Sequence, residues 1–198
     1  MEEWRALAET APGTCTAVAL EISGAGGVLA TVDRAHTMLG AVAGTLRTLP
    51  PAADDDVPAD AFPHTLLEGA HRELGRLEAL HASAGYVCEL YAQRALADRE
   101  ASAPYMSWRG HLYDAVVGAG DAKERLRYAA SEARAAEAAL RVSRSFPGGS
   151  HGRASWRAAA RRLAIDAADN AELALDALRR TRDAVVLESF EARRILNP

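Results

Sequence analysis

Aromatic residues and lysine are scarce in this chain, and the scarcity of aromatic residues limits the possible folds. Aromatic residues make up only 6% of the 198 residues although 49% are hydrophobic, so alanine dominates the apolar set. Alanine has the highest helix propensity, whereas the aromatic and β-branched runs typical of strands are nearly absent. Lysine occurs once, at Lys123, which we attribute to GC-rich coding. The composition therefore predicts an all-α protein.

Cysteines are few, and long apolar runs and excess positive charge are lacking. Cys15 and Cys88 do not have the spacing of metal ligands, and no run of about 18 apolar residues is long enough to span a bilayer. The net charge of −4 favours neither nucleic acid nor an anionic membrane as a partner. The start Met1–Trp4 is acidic, unlike a secretory signal peptide. We expect a cytoplasmic protein, or one exported without a cleavable signal.

Apolar residues recur with a 3-4 spacing in four segments, which predict four helices. Helix A covers about residues 27–48, or begins near 14 if residues 15–22 extend it, and helix B covers 64–99. Helix C covers 108–145 and helix D covers 153–195. The stripe of helix A is Val28, Val32, Ala35, Leu39, Val42 and Leu46, and that of helix D is Ala160, Ala164, Ala167, Ala171, Ala174, Leu178, Thr181 and Val185.

The stripes of helices B and C have the same period. That of helix B is Leu67, Ala70, Leu74, Leu77, His81, Ala84, Cys88, Tyr91 and Ala95, and that of helix C is Leu112, Ala115, Ala119, Ala122, Leu126, Ala129, Ala133, Ala136 and Leu140. A period near 3.5 predicts helices packed knobs-into-holes. Breakers mark connections at 50–62, 102–108 and 146–152, of which 50–62 has the composition of a mobile loop. We predict a single domain over residues 1–198, an elongated up-down-up-down four-helix bundle with heptad, alanine-rich seams.

The stretch PYMSWRGHLYDA, residues 104–115, has two interpretations. In the first it is a turn between helices, in which Pro104 ends helix B, Ser107 caps helix C and Trp108 covers the end of the bundle. In the second, Trp108 and Gly110 form a Trp-x-Gly motif between two amphipathic helices. That arrangement resembles the WXG100 family of type VII (ESX) secretion substrates over about residues 64–145.

The resemblance extends to a second short motif. Proteins of the WXG100 family carry a Tyr-x-x-x-Asp/Glu element, and Tyr128 and Glu132 match it here, although within helix C rather than beyond it. The resemblance implies a secreted or secretion-associated helical partner protein without a catalytic role. It assigns interaction roles to Trp108, Gly110, Tyr128 and Glu132.

Six arginines surround the connection between helices C and D, where no acidic residue occurs between Glu137 and Asp166. They are Arg141, Arg144, Arg153, Arg157, Arg161 and Arg162. They form a candidate anion-binding patch. In an up-down bundle, however, the connection between helices A and B lies at the same end, and its residues Asp54–Asp56 and Asp60 would neutralise the patch internally.

Helix B contains the spacing Glu-x-x-His twice. The candidate ligands are Glu68, His71, Glu78 and His81, and such pairs occur in carboxylate-bridged metal bundles. A metal site also needs inward carboxylates from other helices, but those of helices C and D lie off their stripes. We therefore expect no cofactor and no enzymatic activity. The sequence favours a non-catalytic protein that binds a helical partner or itself, with a ferritin-like metal- or ligand-binding bundle as the alternative.

Overall fold

Helices account for nearly all of the structure. The computed structural model describes residues 13, 15, 17–48, 57–76 and 99–196. The helices are residues 17–23 (α1), Val28–Thr48 (α2), residues 64–76 (α3), Arg99–Ser143 (α4) and His151–Leu196 (α5), with a 3-10 turn at Ala59–Ala61. No described residue lies in a β-strand, so the all-α class is confirmed. The up-down-up-down order of four helices stays a prediction.

A glycine-rich turn separates α1 from α2. The N–H of Gly24 donates to the carbonyl oxygen of Leu20 at 2.7 Å, and the N–H of Gly27 donates to the carbonyl oxygen of Gly24 at 2.9 Å. A Cβ atom at Gly27 would lie 2.5 Å from the carbonyl oxygen of Glu21, so only glycine fits this turn without a shift of the backbone. Helix A therefore begins at Val28, and the helical residues before the turn form a separate element.

The connection predicted at residues 102–108 is wrong, because these residues are helical and belong to α4. A proline inside a helix removes one backbone hydrogen bond and costs about 3 kcal/mol. The neighbours of Pro104 include alanine, glutamate, methionine and arginine, all of high helix propensity. Only the first turn of a helix is unfavourable to form, and each further residue adds a hydrogen bond, so a long helix can include one proline. Residues 77–98, the remainder of helix B, lie outside the described residues.

The connection between helices C and D is confirmed. Residues 144–150 form turns between α4 and α5, and Gly149 has a φ of 75°, a conformation that favours glycine. The hydroxyl of Ser150 accepts a hydrogen bond of 3.2 Å from the N–H of Arg153, so Ser150 caps the N-terminus of α5. The helix begins at His151, two residues before the predicted position.

Contacts divide the chain into two compact units, although the sequence predicted a single domain. Unit 1 comprises Met1–Ala30, Arg72–Ala122 and Asp176–Pro198. Unit 2 comprises Thr31–His71 and Lys123–Leu175. Both α4 and α5 contribute residues to each unit.

Unit 2 has an apolar core built from the predicted stripes. At one end the core consists of Val42, Leu46, Val57, Phe62, Ala136, Ala139, Leu140, Ala160 and Ala164, all buried. The remaining stripe positions of helices A, C and D in this unit are buried as well, as are Leu67 and Ala70 of α3. The two long helices run antiparallel here, because Arg125 contacts Asn170 while Leu140 shares a cluster with Ala160 near the turn.

Unit 1 has a second apolar core. Cys15, Val18 and Ile22 are buried, as are the stripe positions of α4 and α5 in this unit, which are Ala115, Ala119, Ala122, Leu178, Thr181 and Val185. Beyond Val185 the buried stripe continues into Glu188, which is 1% exposed. None of the helices in the described part of the chain combines the length and the apolar character that a membrane-spanning segment needs.

Candidate interaction surface

The two residues of the Trp-x-Gly motif lie in α4, without an interhelical turn. Trp108 and Gly110 are helical, and Gly110 is exposed, with no described atom outside its own stretch of helix within 4 Å of the position that a Cβ would take. The side chain of Trp108 lies outside the described residues. The predicted turn is therefore absent, whereas the resemblance to WXG100 proteins stays a prediction that depends on the motif alone.

The other motif residues, Tyr128 and Glu132, lie on α4 in unit 2. Tyr128 is 41% exposed, and its hydroxyl donates a hydrogen bond of 3.2 Å to Oε1 of Glu124. The guanidinium carbon of Arg127 lies 4.7 Å from the centroid of the tyrosine ring, within the range of a cation–π contact. Tyr128 is thus accessible to a partner, but it is already engaged by two side chains of its own helix.

Glu132 is held in a polar network that joins α4 to α5. The side-chain nitrogen of Asn170 donates a hydrogen bond of 2.9 Å to Oε2 of Glu132. The side-chain oxygen of Asn170 accepts a hydrogen bond of 3.2 Å from Arg125. Burial raises the pKa of Glu132 above its ordinary value of 4.5, and the nearby carboxylates Asp166 and Asp169 raise this pKa further. The hydrogen bond from Asn170 opposes these effects. The network fixes how the two helices face each other in unit 2.

The six arginines do not form one exposed patch. Arg153 and Arg157 are only 7% and 5% exposed, because they occupy the positions at which the stripe of α5 continues backwards from Ala160. Arg161 is half-buried. The three exposed arginines are Arg141, Arg144 and Arg162. Arg141 donates a hydrogen bond of 2.7 Å to Oε1 of Glu137, and Arg144 donates one of 2.7 Å to the carbonyl oxygen of Val57.

The acidic loop that was predicted to neutralise the arginines is only partly described. Asp54, Asp55 and Asp56 lie outside the described residues, while Asp60 is exposed in the 3-10 turn. The contact between Arg144 and Val57 places the segment before α3 beside the turn after α4 within unit 2. Binding of an external anion by the patch stays a prediction, with fewer accessible guanidinium groups than the sequence indicated.

The candidate metal ligands are only half described. Glu68 forms an ion pair with Arg134 of α4, and His71 is half-buried on the same helix, α3. Glu78 and His81 lie outside the described residues. Within the ranges that the structure describes, no three His, Cys, Asp or Glu side chains come together in an arrangement that would hold a metal ion.

Unit 1 presents an apolar surface that the sequence analysis missed. Besides Tyr113 (68%), five large apolar side chains of this unit are exposed, namely Leu20 (63%), Val117 (43%), Val186 (53%), Leu187 (47%) and Phe190 (63%). Leu20, Val186 and Phe190 line an open groove of about 380 Å³ between the N-terminal helical residues and α5. Val117 and Leu187 line a second open groove, of about 420 Å³, between α4 and α5. Adjacent exposed side chains of this kind typically mark a binding surface.

The centre of this surface is a stripe along the outer face of α5. Asp183, Leu187, Phe190 and Arg194, which we name the outer stripe, follow one another at intervals of four, three and four residues and therefore share one face of the helix. The side chain of Asp183 is 63% exposed and that of Arg194 is 61% exposed. Each ion-pairs only with an arginine or glutamate of its own helix among the described residues, Asp183 with Arg182 and Arg194 with Glu191.

A local signal for this surface exists in the sequence. The 3-4 spacing of the buried stripe is satisfied between Thr181 and Glu188 by Val185. Val186, Leu187 and Phe190 are apolar as well, although they are not part of that stripe. Such a surplus indicates a second apolar face. No family model, no curated protein and no solved structure matches the chain, so the comparisons associate this surface with no known family.

Proposed function

We propose that this chain is a non-catalytic interaction protein that binds a protein partner through the apolar surface of unit 1. The observation that carries the proposal is the exposure of Leu20, Val186, Leu187 and Phe190 along two grooves that α5 lines. Leaving large apolar side chains in water forgoes about 25 cal/mol for each Å² of area that a partner could bury. A helical partner fits such a surface, because the apolar residues of an amphipathic helix recur along one face.

The motif resemblance supports the same class of function. Trp108 with Gly110, and Tyr128 with Glu132, resemble elements of the WXG100 family, whose members are helical partner proteins. The resemblance adds a role in type VII secretion to the proposal. The binding surface in unit 1 carries the proposal independently of that role.

Photocrosslinking tests the proposed function. A photoreactive amino acid at position 190 should give a defined protein adduct in the organism that encodes the protein, because Phe190 projects from the proposed surface. The same amino acid at Leu173, which is 47% exposed on α5 but lines neither groove, is the matched control. Absence of an adduct at position 190, or equal adducts at both positions, would contradict the proposal.

A further inference from the structure

The outer stripe of α5 has an order of chemical types that limits what can cover it. It begins with an acidic residue, continues with two apolar residues and ends with a basic residue, Asp183, Leu187, Phe190 and Arg194. The pair Asp183 and Arg194 and the pair Leu187 and Phe190 are centred on the same point, midway between residues 188 and 189. The stripe is therefore complementary to a second copy of itself that runs in the opposite direction.

A stripe of this kind matches a second copy of itself related by a two-fold axis. In such an interface each contact occurs twice, with residue i of one protomer against residue j of its partner and j against i. Antiparallel pairing of two α5 helices about the centre of the stripe places Asp183 opposite the partner's Arg194 and Leu187 opposite the partner's Phe190. No like charges of the stripe meet in this register, whereas a parallel pairing in register would place every charge against its equal.

The residues beside the outer stripe extend the apolar area on both sides. Val186 lies beside it on α5, Leu20 lies across one groove, and Val117 lies across the other. All three are strongly exposed. A two-fold contact through the stripe would bring these side chains against their counterparts and remove them from water as well.

We infer that the occupant of this surface is a second copy of the chain, which pairs through the α5 outer stripes in antiparallel orientation. This inference rests on the proposed function and identifies the protein partner in it as a second copy of the chain. The stripe covers 11 residue steps, roughly 17 Å of helix, which is short for an interface that must bury about 800 Å² on each protomer. A weak homodimer, with a dissociation constant on the order of 10–100 µM, is expected from so small a contact.

Charge reversal tests the register directly by sedimentation velocity at low salt. The chain has a mass of 21.0 kDa, and the wild type should shift from monomer towards dimer between about 5 and about 500 µM. Asp183→Arg alone and Arg194→Asp alone should each weaken the dimer about tenfold, because one substitution places like charges together twice. The double variant D183R/R194D restores opposite charges and should return the affinity to within about threefold of the wild type.

The charge of Arg182 and Glu191 on the same helix is unchanged in all three variants, which keeps the comparison matched. Circular dichroism should show the same helix content for each, because both positions are exposed. A wild type that remains monomeric over the whole range, or a double variant weaker than both single variants, would overturn the inference. If the wild type is monomeric but position 190 still crosslinks to a different protein, only the second-copy inference fails and the proposed function stands.

Discussion

The guanidinium of Arg144 donates a hydrogen bond of 2.7 Å to the carbonyl oxygen of Val57. This bond joins the turn after α4 to the segment that precedes α3, and Val57 itself is buried in the core of unit 2 together with Phe62. At least one arginine of the sequence-defined cluster thus stabilises the fold by satisfying a backbone acceptor, which otherwise costs free energy when it is buried.

Replacing Arg144 by alanine should lower the free energy of unfolding by about 1 kcal/mol, because the Val57 carbonyl loses a charged donor in a partly buried site. Arg162→Ala is the matched control, an exposed arginine of the same cluster, for which a change within about 0.5 kcal/mol is expected. Urea unfolding of both variants measures the difference. Equal stability of the two variants would show that the bond contributes nothing.

In unit 1, α4 approaches α5 closely at Gly118. A Cβ on Gly118 would lie 2.5 Å from Oγ1 of Thr181. The Thr181 hydroxyl is held in place, because it donates a hydrogen bond of 2.9 Å to the carbonyl oxygen of Ala177. Overpacking of this kind costs about 1–3 kcal/mol, more than the roughly 1 kcal/mol that alanine gains over glycine in a helix. We therefore expect Gly118→Ala to lower the melting temperature.

Gly120→Ala provides the control for Gly118→Ala. Gly120 lies two residues further along the same helix, and among the described residues nothing beyond its own stretch of helix lies within 4 Å of the position of a Cβ there. This substitution should raise stability by up to about 1 kcal/mol through helix propensity alone. Opposite signs for the two variants are the expected outcome in thermal unfolding. A gain at both positions would mean that the helices can separate at Gly118 without loss.

The raised pKa of Glu132 predicts a pH dependence of stability. Burial raises this pKa above 4.5, so the folded state holds the proton more tightly than the unfolded state does. The associated stabilisation is fully present below pH 4.5 and is lost as the pH rises through the folded-state pKa. Above that pKa the ionised carboxylate opposes folding, and Asp166 and Asp169 add to the effect.

Glu132→Gln removes the charge and retains an oxygen that can accept the hydrogen bond from Asn170. The variant should be more stable than the wild type at pH 7, and the difference should shrink as the pH falls below 4.5. Urea unfolding at a series of pH values measures it. A difference that does not change with pH, or a less stable variant at pH 7, would contradict this assignment.

The buried seams were the most predictable part of the fold. A 3-4 spacing of apolar residues identifies a helix face, and every described stripe position with a described side chain is buried. Continuing the same count would also have predicted the burial of Glu188, and of Arg157 and Arg153, which were assigned instead to an anion-binding patch because of their charge. The error reflects a general conflict between periodicity and polarity, which only the neighbouring helices decide.

Two features were missed in the sequence, each for its own physical reason. Pro104 and Gly110 are both helix breakers by local propensity, yet α4 continues through them because helix formers surround both. The outer stripe of α5 was missed for a different reason. Periodicity identifies apolar faces but does not show which face a neighbouring helix covers, so Leu187 and Phe190 could equally have widened the buried seam.

A charge placed at the centre of the outer stripe tests the proposed partner surface most directly. Phe190→Asp should abolish concentration-dependent association in sedimentation velocity, leaving a species of 21.0 kDa, while Leu173→Asp on the same helix should associate like the wild type. Both residues are exposed, so the helix content of both variants should be unchanged. Association of Phe190→Asp with wild-type affinity would contradict the claim that the protein binds its partner through this face of α5.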